Sequence, residues 1–226
     1  MAGCLLALAP GPAPGQSADF RPFVEGERLV YRLLWPSGLP LGEAVFEVTP
    51  QGNELHFRAS VEASLPQNRF NSTFSAVAAR EKLCSLQFHQ KLEEGSQSSE
   101  EALEFDQAAH RVRRIRGRDA TTAPIPECAR DPLTFLYYAR SRLAAGEPVE
   151  PGSLHYGRES PAQLAPGRAG TVEVGGAPRP GEKFTLRFAA RNRDRTLEIW
   201  FAPDATRIPL RFTIPTSLAD FKAELE

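Results

Sequence analysis

The chain runs to 226 residues with a formal net charge of −1, 41% hydrophobic and 24% charged residues, a balance that excludes wholesale disorder. So small a net charge supplies no field to draw the protein onto nucleic acid or an anionic membrane, and nucleic-acid binding is not expected. Fourteen Phe, 20 Pro and 17 Gly against a single Met point to a β-rich protein with many turns.

The first 23 residues open with MAGCLLALAPGPAPGQSA, apolar and rich in small side chains but without Lys or Arg ahead of the apolar run. Two readings make this a truncated export leader whose start codon lies upstream. In one, LLALAP ends a signal peptide cut near Ala18. In the other, Met-Ala-Gly-Cys is the tail of a lipobox and Cys4 is lipidated. The third reading is a disordered Pro/Gly/Ala tail. Export, to the periplasm or the outer envelope, is the expectation. No other segment approaches the ~18 apolar residues of a membrane-spanning helix.

From residue 24 to 226 the pattern reads as one β-rich domain. ERLVYRLLW sets Leu29, Tyr31, Leu33 and Trp35 against Arg28 and Arg32. GEAVFEV sets Ala44, Phe46 and Val48 against Glu43 and Glu47. ELHFRASVEA sets Leu55, Phe57, Ala59, Val61 and Ala63 against His56, Arg58, Ser60 and Glu62. Period-two alternation marks strands buried on one face, and PSGLPLG and TPQGN between them are turns. Phe70, Ser72, Phe74 and Ala76 continue the pattern, then Cys84, Leu86 and Phe88, then Leu103 and Phe105; RVRRIRGR reads as a more exposed strand.

The segment DPLTFLYYARSRLAAGE (131–147) breaks the alternation. Asp131 is an N-cap and Pro132 suits the first turn. Arg140 and Arg142 suit the C-terminal end, with Gly146 just beyond it. A helix over 131–145 spans about 21 Å, too short for a bilayer. Being apolar on most sides, it is buried on most sides. One reading makes it a plug in the concave face of the sheet. The other has Tyr137, Tyr138 and Phe135, with Trp35 and Phe57 from the strands, lining a cavity for an apolar ligand.

The Gly/Pro-rich stretch 146–182 reads as turns with one or two short strands. Alternation returns at Phe184, Leu186 and Phe188; at Leu197, Ile199 and Phe201; at Ile208, Leu210, Phe212 and Ile214; and at Phe221, Ala223 and Leu225. Together this predicts a mainly β fold: a large antiparallel sheet, open barrel or sandwich of about ten or more strands wrapped round one helix.

If Cys4 belongs to the leader, Cys84 and Cys128 remain as an even pair, which predicts a disulfide and an oxidising compartment. The loop it closes makes it worth about 4 kcal/mol in the chain-entropy model. No CxxC is present to support zinc or thiol-redox chemistry.

Enzyme signatures are sparse. GxSxG, HExxH, P-loop and GxGxxG are absent, and His56, His89, His110 and His155 are scattered. No catalytic residue, cofactor or metal is expected. Asp204 in WFAPDATRIP reads as a hairpin-turn residue, and a loop carboxylate of this kind is what an alternative hydrolase reading would use. Arg111, Arg113 and Arg114 within RVRRIRGR either contact an anionic lipid, phosphate or glycan, or balance EGSQSSEEALEFD across a hairpin.

The stretches GERLVYRLLWPSGLPLGEAVFEV (26–48), CSLQFHQKLEEGSQSSEEALEFD (84–106), CARDPLTFLYYAR (128–140) and EIWFAPDATRIPLRF (198–212) occur in an order that resembles the bacterial domain-of-unknown-function 3108 family. The resemblance covers nearly the whole chain from about residue 24. It implies a mostly β, exported, envelope-located protein, and it carries over no catalytic residues. The function expected is therefore a cell-envelope scaffold, or a binder of a lipid-like ligand or envelope partner.

Overall fold

The computed structural model describes residues 23, 25–64, 69–155, 159–190, 193–215 and 220–226. The stretch read as an export leader or a tail, with Cys4, lies outside the described residues apart from Phe23. Phe23 is fully buried in the core.

Fourteen strands form one antiparallel sheet. In chain order they are β1 (Glu27–Leu34), β2 (Pro40–Gln51), β3 (Glu54–Ser64), β4 (Arg69–Ala79), β5 (Ser85–Glu94), β6 (Gln97–Asp106), β7 (Arg111–Arg116) and β8 (Asp119–Pro124). The helix α1 (Pro132–Ala144) follows, then β9 (Gly152–His155), β10 (Glu159–Val174), β11 (Ala177–Ala190), β12 (Arg193–Phe201), β13 (Pro209–Pro215) and β14 (Asp220–Leu225). The expected mainly β architecture round one helix is present.

The order across the sheet is β8 to β1 and then β14 to β9. The first and last strands therefore pair at its centre, Tyr31 opposite Leu225, and α1 joins the two edge strands. The sheet curls so that its edges approach. Helix α1 touches β3 and β4 on one arm and β9 on the other. Phe105 of β6 meets His155 of β9 at 5.8 Å between ring centres. Ala129 and Arg130 bridge the gap, the Ala129 carbonyl accepting from Ser85 N at 3.1 Å and the Arg130 carbonyl from His155 N at 2.9 Å. These bonds occupy backbone groups that the opening would otherwise strand.

Alternation is why the concave face is apolar. Leu29, Tyr31 and Leu33 of β1 and Leu55, Phe57 and Ala59 of β3 are buried, while Arg28, Arg32 and Arg58 point to the other side. A one-residue slip would turn every one of these apolar side chains to solvent, so burial holds the register.

The stretch 146–182 departs from its sequence reading, for β10 runs 16 residues and β11 runs 14. Two features hid them. A register shift between Ala165 and Arg168 bends β10, and at Gly167 an added Cβ would collide with the Phe184 ring. Beyond the bend the hairpin crosses the outside of β12–β14. There Arg211 donates to the Glu173 carbonyl and Gly175 N to Glu224, while Val172 and Val174 pack with Ala202 and Leu210. Only this outer part of the hairpin lacks main-core alternation, for Leu164, Phe184 and Leu186 of the same two strands join the inner clusters.

Helix α1 is anchored at both ends. The Asp131 carboxylate accepts from Leu133 N at 2.9 Å, Thr134 N at 3.0 Å, Thr134 Oγ1 at 2.6 Å and Ser85 Oγ at 2.5 Å. Full burial pushes this carboxyl above the usual range, partly offset by those bonds. Replacing Asp131 with alanine is expected to cost about 2–4 kcal/mol in urea unfolding, because a cap is lost and buried donors are stranded. Asparagine tests the charge. A carboxyl whose pKa is raised in the fold favours folding most when protonated. Its contribution is full below the unfolded pKa of about 3.9 and declines as pH rises through the folded value. Over that window the wild type should lose stability relative to Asp131→Asn.

At the other end Arg140 is fully buried. It clasps Glu27 with Nη1 at 2.5 Å from Oε1 and Nη2 at 2.9 Å from Oε2. Its Nε donates to the Arg207 carbonyl and Nη2 to the Thr206 carbonyl, both at 3.1 Å. Since Glu27 starts β1 and residues 206–207 belong to the β12–β13 loop, α1 lies across one end of the curled sheet and closes it.

Candidate functional site: an apolar cavity above the helix

A cavity of about 1030 Å³ lies between α1 and the concave face of the sheet. Its floor is Pro132, Leu133, Phe135, Leu136 and Ala139 of the helix. Its walls include Phe46, Phe70, Phe74, Phe88, Phe188, Phe201 and Phe212, and among the described lining residues Thr196 is the only polar side chain. The volume is at the upper end of ordinary ligand sites, about 300–1,000 Å³.

The mouth follows from strand direction. Hairpins of an up-and-down sheet alternate between its two ends, and those joining β2–β3, β4–β5, β6–β7 and β12–β13 share the end that α1 closes. The β1–β2 turn and the outer ends of β11, β13 and β14 lie at the opposite end, which the helix leaves uncovered. Leu39 in that turn and Ile214 at the end of β13, itself a lining residue, are the exposed large hydrophobics among the described residues. The site is thus a pocket with a hydrocarbon floor, hydrocarbon walls and an apolar lip.

The sequence-predicted ligand residues divide. Phe135 lines the cavity. Tyr137 and Phe57 stack on each other at 4.7 Å on the helix's other side, with Phe23 edge-on to Tyr137 at 4.9 Å. Burial pushes the Tyr137 phenol up, so it stays protonated and neutral there. Tyr138 lies under the Arg130 guanidinium, 3.6 Å from its ring centre. Trp35 packs edge-on to Phe221 at 5.0 Å beside the mouth. The helix is therefore both plug and floor: its Tyr137 side completes the core, and its Leu133–Leu136–Ala139 side faces the cavity. The sequence reading missed most of the wall, although Phe46, Phe70, Phe74, Phe88, Phe201 and Phe212 all stood on the inner side of its alternating strands.

The remaining chemistry is committed elsewhere. Cys84 and Cys128 are bridged, with Cα atoms 4.6 Å apart. Arg111 pairs with Asp106 at 3.0 Å and Arg113 with Glu104 at 3.0 Å, while Arg114 reaches Glu101 at 2.5 Å. These three are the cross-hairpin balance that the sequence offers as one reading of the stretch. Asp204 accepts from Thr206 N at 2.9 Å and from Thr206 Oγ1 at 2.5 Å. The Thr206 hydroxyl holds its carboxyl below the usual range. It sits in the loop at the closed end and is not a lining residue. Among the described residues no group of His, Cys, Asp or Glu could hold a metal ion, and no helix is long and apolar enough to cross a membrane.

Comparison with known proteins agrees with this architecture. The chain is similar in fold to a β-barrel-like protein of domain of unknown function DUF1849 from Brucella abortus. The TM-score is 0.62 at 10% identity, covering 90% of this chain and 97% of that one. No curated protein matches the chain in sequence. The model of the DUF3108 family, described as a protein of unknown function, matches residues 28–226, and by that match over nearly its whole length the chain belongs to the DUF3108 family.

Proposed function

We propose that the chain is an exported cell-envelope protein, periplasmic or lipid-anchored, that binds a lipid-like ligand in the cavity above α1 without transforming it. The cavity carries the reading. A concave site of this volume removes most of a long alkyl chain from water, at roughly 25 cal/mol per Å² of apolar surface buried. Apart from Thr196, the described lining is hydrocarbon and offers nothing to attack or polarise a bond. The apolar lip at the mouth supports entry of an amphiphile from a bilayer or a partner. The Cys84–Cys128 bridge supports an oxidising compartment, as does the small-residue leader.

The test is retention and exclusion. Native mass spectrometry of protein purified from envelope extracts should show adduct masses of lipid size, lost on delipidation. Leu136→Trp and Val61→Trp, which put an indole into the cavity from floor and wall, should each weaken an apolar fluorescent dye by at least about tenfold, or 1.4 kcal/mol. The circular dichroism spectrum should be unchanged. Unaltered dye affinity in both variants would place binding elsewhere.

A further inference from the structure

Beside the cavity, on the same inner face, runs a row of buried polar side chains, each with an oxygen that has no partner among the described residues. Ser72 of β4 lies between Phe70 and Phe74, both lining residues. Gln90 of β5 stands opposite Phe74 and, on its other side, opposite Glu101 of β6. Period-two alternation turns all three toward the concave interior with Phe88 and Leu103. They are 0%, 8% and 5% exposed. Ser72 Oγ, Gln90 Oε1 and Glu101 Oε1 meet no hydrogen-bond partner among the described residues. Natural cores rarely strand one such atom, and three in adjoining positions call for an explanation.

The chemistry of the row selects its ligand. Glu101 spends its other oxygen on Arg114, whose Nε is 2.9 Å away and Nη2 2.5 Å, so that pair is already neutral. Glu101 Oε1 is an acceptor whichever way the Gln90 amide is turned, and Ser72 Oγ can accept as well as donate. An anionic head would meet a carboxylate already paired with Arg114, whereas a hydroxyl can donate to Glu101 Oε1. The row also stands on the mouth side of Phe74 and Phe88, away from α1. A chain lying down toward Leu136 would leave its head at this level. We infer that the bound lipid carries a hydrogen-bond-donating, uncharged head of the hydroxyl class, and that Ser72, Gln90 and Glu101 receive it once the Phe74 ring turns aside. This rests on the ligand-binding reading above.

Displacement of phenylnaphthylamine from the full chain tests it, with monolaurin, methyl laurate and laurate as competitors sharing one acyl chain. Monolaurin, which has hydroxyls to donate, should displace the dye at a concentration at least about tenfold below either of the others. In Ser72→Ala/Gln90→Leu, which keeps the Glu101–Arg114 pair, that advantage should collapse, monolaurin then displacing the dye no better than methyl laurate. The melting temperature should hold or rise, since buried polar groups without partners are replaced by apolar ones. Equal displacement by all three competitors, an advantage that survives the double substitution, or a fall in melting temperature would each overturn the head-group assignment alone. Failure of the dye to bind the wild type at all would overturn the cavity reading and this inference with it.

Discussion

Arg140→Met lowers the unfolding free energy by about 3–5 kcal/mol, the loss expected when one member of a buried ion pair is removed and the other stays. Several observations set the size. The guanidinium is fully buried and holds both oxygens of Glu27. It also supplies donors to the carbonyls of Thr206 and Arg207, and it stands 5.3 Å from the ring centres of Phe23 and Tyr137. Methionine keeps much of the packing but strands a carboxylate and two carbonyls. The measurement is urea denaturation of the single variants and of Arg140→Met/Glu27→Gln. If the pair is the main term, the double variant is more stable than the sum of the single losses allows. Strict additivity would show that the carbonyl contacts dominate instead. Either way, losing Arg140 loosens the end of α1 that closes the sheet, so dye binding should weaken more than in a surface variant of equal stability.

Removing the Cys84–Cys128 bridge, by Cys84→Ser/Cys128→Ser or by reduction, costs about 4 kcal/mol on the loop-entropy scale. It ties the entry to β5 to the segment that leads into α1. Around it, Gln107 donates to the carbonyls of Ser85 and Ala129 at 2.6 and 3.1 Å. Arg130 Nε donates to the Leu83 carbonyl at 2.8 Å. These bonds should hold the helix start in place after reduction, so the spectrum of the reduced protein stays native-like while its urea midpoint falls. Thiol labelling of unreduced protein gives the complementary readout: neither Cys84 nor Cys128 should react. A midpoint unmoved by reductant, with both thiols confirmed free, would show that the bridge adds nothing to the hydrogen bonds beside it.

Much of this protein is legible in local chemistry. Alternation fixed by steric period places Leu29, Tyr31 and Leu33, or Leu55, Phe57 and Ala59, on one face whatever lies opposite. Asp131-Pro132 starts a helix because a carboxylate caps free N–H groups and proline has none to lose. An even pair of cysteines points to a bridge. Each of these signals lives within a few residues or in a count, so the chain alone points to a mainly antiparallel β fold, as sheet, open barrel or sandwich, with one buried helix and a disulfide. What it does not determine is which side of the helix meets which part of the sheet. Tyr137 and Leu136 are neighbours with equal claims to a ligand site by composition. Only the curl that brings β3, β4 and β9 round α1, and the Arg140–Glu27 clasp that sets the helix's rotation, send Tyr137 into the core and Leu136 to the cavity. The outer part of the β10–β11 hairpin is hidden for the same reason, since its packing partners lie on the outside of strands far along the chain. The row of Ser72, Gln90 and Glu101 likewise becomes visible only through cross-strand register, because three polar residues on three strands make one site only after pairing puts them side by side.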